Sequence, residues 1–261
     1  MDYVIAVRTY KRPIMFSRFT LRVLRDQHVD DRLYVFVGSD IEEYRVFEPD
    51  LRYIQVPVGG ANARKAICEY FPRGTPILFL DDDLETFFRY DPDTDSFKHD
   101  GLHDLIVQGF EHAPFTFQSI TNRLWLRGAK ELFRPIYSTM AGSFFGAYNE
   151  PENILTPTSH CDELSRTVNY LKEGRVPWSY IGAGFKTKYA KNPGGLADSG
   201  DRDDTRAICE SLLPLVADWV QPDIFQQPCG LWAIKLLPAI TLKKRLKALS
   251  TSGCLSSPTL D

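Results

Sequence analysis

"PILFLDDDLETFF" (residues 76–88) runs from five mostly apolar residues straight into three adjacent aspartates. Three neighbouring carboxylates repel one another, so folding alone gives no reason to gather them at the end of a buried segment. A positive partner does. Upstream the chain alternates. "YVIAV" (3–7), "RLYVFVGS" (32–39), "LRYIQVPV" (51–58) and "PILFL" (76–80) read as short buried strands. Pro13 opens a helical stretch with Phe16, Phe19 and Val23 at helical spacing, and "ANARKAICEYF" (61–71) is a second helix, stopped near Gly74. Strands separated by helices predict an α/β fold with a mostly parallel sheet and right-handed crossovers. Such sheets bind ligands beyond the C-terminal ends of their strands. Arg8, Ser39-Asp40 and Asp81 to Asp83 all follow strand ends and are expected on one rim.

The chain has 261 residues, enough for one large domain with a small appendage. Its 43% hydrophobic and 25% charged content is that of a globular protein. No apolar run approaches a membrane span, so no membrane span is expected. The N-terminus does not read as a secretory signal. Five scattered cysteines without metal spacing predict reduced thiols and a cytoplasmic location. A net charge of −3 speaks against broad nucleic-acid binding but leaves room for a local basic face.

The second half is less regular. "DPDTDSF" (91–97) reads as a loop, and "FTFQSITNRLWL" (115–126), "STMAGSFFGAY" (138–148) and "WSYIGAGFKTKYA" (178–190) as strands. "SHCDELSRTVNYLKEG" (159–174) is a helix capped by Ser159, with Leu164, Val168 and Leu171 on one face. Helical stretches follow around 206–219 and 235–249, the latter with a basic face, before a flexible tail from 250. The expected division is a domain over 1–205, a helical extension over 206–249 and the tail over 250–261.

For the aspartates, a hard divalent cation is one answer. Mg²⁺ or Mn²⁺ takes oxygen ligands and often only one or two carboxylates, with water and phosphate completing the shell. On an extended segment Asp81 and Asp83 would point one way and Asp82 the other. The other answer is structural: acids capping a helix that starts at "LETFF". His99, His103, His112 and His160 show no ligand spacing.

With "YVIAVRTYKRP", "GGANARK" (59–65) and the strand-terminal "LFLDDD" (78–83), the chain resembles the GT-A glycosyltransferases over roughly residues 3–190. The resemblance implies a GT-A-like, Rossmann-like fold and a metal, Mn²⁺ or Mg²⁺, on Asp81 and Asp83. The metal holds the diphosphate of a nucleotide-sugar donor, a UDP-sugar foremost. It implies a nucleoside site at Arg8, Thr9 and Tyr10, with Asp82 beside it. A basic or amide side chain comes from Asn62, Arg64 or Lys65. "HCDELSRTVNYLKEG" is similar to the family's "EDxEL" helix start, which carries the general base of inverting members; His160-Cys161 replace its leading acids. Asp162, then Glu163, is the expected base, although acids in a first helical turn also serve the helix dipole. Lys186, Lys188 and Lys191 flank "NPGG" as a second phosphate clamp or a solvated basic edge. Arg64→Ala is expected to weaken donor binding at little cost to the fold.

The short opening motif, the triple aspartate and the late "NPGG" are most similar to the viral and phage TET/JBP-associated glycosyltransferases. That implies a hydroxymethyl group on a DNA pyrimidine as acceptor, with Arg123, Arg127, Lys130, Arg134 and the last helices on phosphates. A glycan acceptor and a non-catalytic nucleotide-binding module are the alternatives.

Overall fold

The computed structural model describes residues 1–120, 133–140, 142, 144–156, 161–187, 205–226 and 232–251. Strands β1 (Val4–Thr9), β2 (Leu33–Val37), β3 (Tyr53–Gln55) and β4 (Pro76–Asp81) are parallel, in the spatial order β3-β2-β1-β4. Their nearly continuous apolar sequences suit strands covered on both faces. Helix α1 (Pro13–Phe16) continues through a π-helical turn, Ser17–Leu21, into α2 (Arg22–Asp26). Helices α3 (Ile41–Arg45) and α4 (Gly60–Tyr70) complete the parallel half. The chain runs outward from β1 to β3, then returns to place β4 on β1's other side. That reversal opens a crevice at the C-terminal ends of β1 and β4, where open α/β sheets take their ligands.

The second half extends this to a ten-stranded mixed sheet. Its elements are β5 (Leu84–Asp91), β6 (Ser96–Lys98), α5 (Leu102–Phe110), β7 (Phe115–Ile120), β8 (Phe133–Pro135), β9 (Phe144–Tyr148), α6 (Pro151–Ile154), α7 (Asp162–Lys172) and β10 (Trp178–Thr187). β9 is antiparallel to β4 and β7, whereas β10 is parallel to β7 and antiparallel to β5.

Several elements differ from the sequence reading. "LETFF" is strand β5, not a helix, because it pairs with β10 on one side and β6 on the other. The "DPDTDSF" loop is the turn of that β5–β6 hairpin. The segment expected as a strand from 138 becomes one only at Phe144, and the remainder of 115–126 lies outside the described residues. So does Ser159; among the described residues Cys161 is the N-cap of α7. Between α8 (Thr205–Val216) and α9 (Ala239–Thr251) stands a hairpin, β11 (Val220–Gln226) with β12 (Trp232–Leu236). In β12, Ile234 and Leu236 are buried and Lys235 is exposed, the period of two that turns a stretch expected as helical into strand. Pro238 then opens α9, where its missing N–H costs nothing. No described helix is long and apolar enough to cross a membrane.

Helix α7 lies between two cores. Tyr170 packs with Ile77, Phe145 and Ile154 under the sheet. Leu164, Val168 and Leu171 pack with Leu212, Val216, Trp219 and Leu242 of the C-terminal elements. Burying one such side chain contributes about 1.5–3 kcal/mol. This double packing fixes the first turn of α7 against the crevice.

Candidate active site

At the crevice Arg8 and Asp81 are direct partners across β1 and β4. Arg8 Nε donates to Asp81 Oδ1 at 2.7 Å, and both side chains keep a fifth to a quarter of their surface exposed. Gly60 makes room for this pair, since a Cβ there would lie 3.2 Å from Arg8 Nη1. Gly59, at φ 110°, turns the chain into α4 in a conformation that favours glycine.

Asp81 is the last residue of β4, and Asp82 and Asp83 form a turn. The alternation expected of an extended triplet therefore stops at Asp81. Asp82 is 3% exposed. It accepts from Thr9 Oγ1 at 2.6 Å and from Arg12 Nη1 at 3.1 Å. Thr9 in turn accepts from the Tyr44 hydroxyl at 2.8 Å, which accepts from the Arg12 N–H at 3.0 Å. Burial pushes the Asp82 carboxyl above its ordinary value, and Arg12 opposes that shift. Thr9 and Asp82, both expected in the donor site, bond one another, and with Tyr44 and Arg12 they brace the loop after β1. Tyr10, half-buried on the same loop, packs beside Gly38 and carries Lys11 Nζ 5.2 Å above its ring.

The residue that holds the aspartate turn is Thr20, which nothing in the local sequence pattern singles out. Fully buried in the π-helical turn, its hydroxyl donates to the Asp81 carbonyl at 2.9 Å and accepts from the Leu84 N–H at 3.0 Å. π-Helical turns recur at functional sites. Here the wider turn carries Thr20 to the β4–β5 junction.

The three residues expected to share one role on α4 separate. Asn62 donates to the Val58 carbonyl at 2.7 Å, and Lys65 is exposed beside Glu69 at 3.8 Å. Arg64 alone points inward. It is 3% exposed and forms an ion pair with Asp162. Burial lowers its pKa to about 10 against the pull of Asp162. The expectation that Arg64→Ala spares the fold does not suit a side chain this buried, because its loss removes the nearer cation of the Asp162 carboxylate and leaves Arg166 alone, at 3.7 Å. Arg64→Met is expected to cost about 3–5 kcal/mol, and Lys65→Met no more than about 0.5 kcal/mol. Equal urea-denaturation midpoints for the two variants would contradict the pairing.

Asp162 is 4% exposed. Burial opposes its ionisation, but Arg64, Arg166 and a hydrogen bond from Glu163 outweigh it and hold the carboxyl below the usual range. Arg166, one helical turn on, is completely buried; its Nη2 is 3.7 Å from Asp162 Oδ2 and its guanidinium stacks 3.9 Å from the Phe145 ring centre. Among the described residues none of its guanidinium nitrogens finds a hydrogen-bond partner. Glu163 is half-buried, and burial together with the Asp162 carboxylate raises its pKa above the ordinary carboxylate range. Its carboxyl lies over Gly142, where a Cβ would collide with it. The two acids expected as alternatives for one role thus differ in kind. Asp162 is a buried anion held by two arginines, whereas Glu163 holds its proton more tightly than a free glutamate does and keeps some access. A small cavity of about 10 Å³, room for one oxygen atom, is lined by Arg8, Arg64, Asp81 and Gly142 among others.

Lys186, near the end of β10, pairs with Glu85 at 3.0 Å just beyond the aspartate turn. Lys188, Lys191, His160, Arg123, Arg127 and Lys130 lie outside the described residues. Among the described residues no three acidic, histidine or cysteine side chains surround a single point where a metal ion fits. Carboxylate oxygens such as those of Asp81 and Asp83 are the donor type a hard cation takes, though the Asp81 carboxylate here already accepts from Arg8.

No protein-family model matches the sequence, and no curated protein matches it. Among solved structures, the chain is similar to S. aureus TarS 1–349 in complex with UDP-GlcNAc. That match has 16% identity and a TM-score of 0.51, covering 82% of this chain and 67% of that one. The same fragment with UDP gives 15% identity and a TM-score of 0.47 over 71% and 59% of the two chains. The mannosyltransferase PcManGT from Pyrobaculum calidifontis, with GDP-Man and Mn²⁺, gives 12% and 0.47 over 73% and 58%. The chain spans 59–67% of the length of the TarS fragments it matches. The fold is the α/β, GT-A-like one that the sequence predicts, with helices flanking a central sheet whose first four strands are parallel.

Proposed function

We propose that this chain is a glycosyltransferase that moves a sugar from a nucleotide-sugar donor to a hydroxymethyl group on a modified pyrimidine in DNA. The observation that carries the transferase reading is the meeting of three features at one crevice. These are the Arg8–Asp81 pair at the switch point of the sheet, the inward-facing Arg64, and the acid pair at the start of α7. A TarS fragment of the same fold binds UDP-GlcNAc, which puts a UDP-sugar first among donors.

In this reading residues 1–205 are the transferase domain and 206–249 an extension packed on α7. Arg8 and Arg64 offer cationic groups to the donor diphosphate, and Tyr10 lies on the nucleoside side of the rim. Asp81 and Asp83 hold Mn²⁺ or Mg²⁺, which neutralises charge on the leaving diphosphate when bound. Glu163 in its ionised form takes the acceptor hydroxyl proton, and the neighbouring Asp162 carboxylate, locked by Arg64 and Arg166, raises its affinity for that proton. The exposed Arg134, Lys243, Lys244 and Lys247 support contacts to DNA phosphates.

A glycan acceptor is the second reading, favoured by the net charge of −3. The test is a donor panel with Mn²⁺, reading nucleoside diphosphate release with and without hydroxymethylated DNA. Release that depends on the hydroxymethyl group supports the DNA acceptor. Equal release with unmodified DNA removes it and leaves the glycan. Donor binding without turnover on any acceptor would mean a nucleotide-binding module. If phosphates supply the affinity, DNA binding is also expected to fall steeply with salt.

A further inference from the structure

Just ahead of the acid pair, the start of α7 meets α8 through two sulfur atoms. Cys161 Sγ lies 3.6 Å from Cys209 Sγ, in contact across 48 positions of sequence. Cys161 is the N-cap of α7, a place where a serine or aspartate side chain usually bonds the first turn. It makes no such bond, and its backbone is left-handed at φ 59°. Cys209 is fully buried and Cys161 half-buried, so Cys161 is the more accessible of the two. Neither thiol has a part in the proposed sugar transfer.

We propose that Cys161 and Cys209 are a redox modification site, forming a reversible disulfide that ties the start of α7 to α8. With a small disulfide such as oxidised glutathione as the oxidant, the balance closes. The Cys161 thiol loses its proton and attacks one glutathione sulfur, releasing one glutathione thiolate and leaving a mixed disulfide. The Cys209 thiol loses its proton, attacks Cys161 Sγ and releases the second glutathione. Two protein thiols are oxidised by two electrons, and one oxidised glutathione becomes two reduced ones. Burial raises the proton affinity of both thiols, so the reaction is slow at neutral pH and quickens in alkali. The bond brings the sulfurs from 3.6 Å to about 2.05 Å. Cys161 immediately precedes Asp162 and Glu163, and this adjacency couples oxidation to the position of the acid pair.

The test uses the full chain under native conditions. It is incubated with oxidised glutathione, its remaining thiols are alkylated, and the digested peptides are mapped by mass spectrometry. The expected result is a cross-linked peptide pair containing Cys161 and Cys209, with two fewer alkylatable thiols and full reversal by dithiothreitol. The rate should rise about tenfold per pH unit while both thiols remain mostly protonated. Cys209→Ser should stop at glutathionylated Cys161. Cys68, buried in the separate core under the sheet, is the internal control. Wild-type chain that accumulates only glutathionylated Cys161, or in which neither cysteine reacts while the fold persists, overturns the proposal. The wild-type map decides this even if the serine variant fails to fold.

Discussion

Glu163→Gln is expected to lower sugar transfer by roughly 10²–10⁴-fold, the usual contribution of a positioned general base, while donor binding stays near that of the parent. The glutamine keeps the shape of the side chain over Gly142 and removes its ability to take a proton. Because burial and the Asp162 carboxylate hold the Glu163 pKa above the ordinary carboxylate range, the base is still partly protonated where a free glutamate would be ionised. Transfer by the parent chain should therefore rise with pH through that raised value, and the Glu163→Gln variant should lose this limb. Gly142→Ala supplies an independent arm, since the added methyl displaces the Glu163 carboxyl without altering its chemistry. Asp162→Asn acts differently: it leaves Arg64 and Arg166 buried without their anion, and should appear first in stability. The Asp162 carboxyl is held below its usual range, so its stabilisation is present at neutral pH and fades as the pH falls through the depressed value. A Glu163→Gln chain with full activity and an unchanged pH profile would remove Glu163 as the base.

Asp81→Ala and Asp83→Ala are each expected to reduce turnover by at least ~100-fold, a loss of about 2.7 kcal/mol of transition-state stabilisation. Asp81 stands at the end of β4 with a quarter of its side chain exposed, and Arg8 opposite keeps a fifth. Its removal leaves a largely buried guanidinium without its carboxylate, so some stability should be lost along with turnover. Asp82→Ala should act first on the fold. It strips Thr9 and Arg12 of a buried acceptor and should lower stability, with any loss of activity following from the loosened loop after β1. Chelation with excess EDTA should abolish turnover, and Mn²⁺ or Mg²⁺ should restore it. Full turnover in EDTA, or an Asp81→Ala variant as active as its parent, would remove the metal from the reading.

The parallel half of the sheet was legible in residues 3 to 81 because each cause is local. A short apolar run bounded by turn residues is a buried strand wherever it occurs, and alternation with helices leaves few topologies. The position of Arg8 and Asp81 at strand ends followed directly, and with it the crevice. The 84–98 hairpin and the 220–236 hairpin were not legible. Whether such a segment is strand depends on the partner beside it, as β10 is for β5, and pairing across about a hundred residues leaves no mark in local pattern. The same limit governs the site. Asp81, Asp82 and Asp83 are one run of identical letters, and Asp162 and Glu163 are neighbours of like charge; the sequence by itself determined that acids gather at these two places. Only the tertiary structure decided which of them is spent on Thr9 and Arg12, which is locked between Arg64 and Arg166, and which holds its proton more tightly over Gly142. Desolvation and ion pairing are set by side chains that folding brings from α4, β1 and the segment before β9, and those forces act through space rather than along the chain.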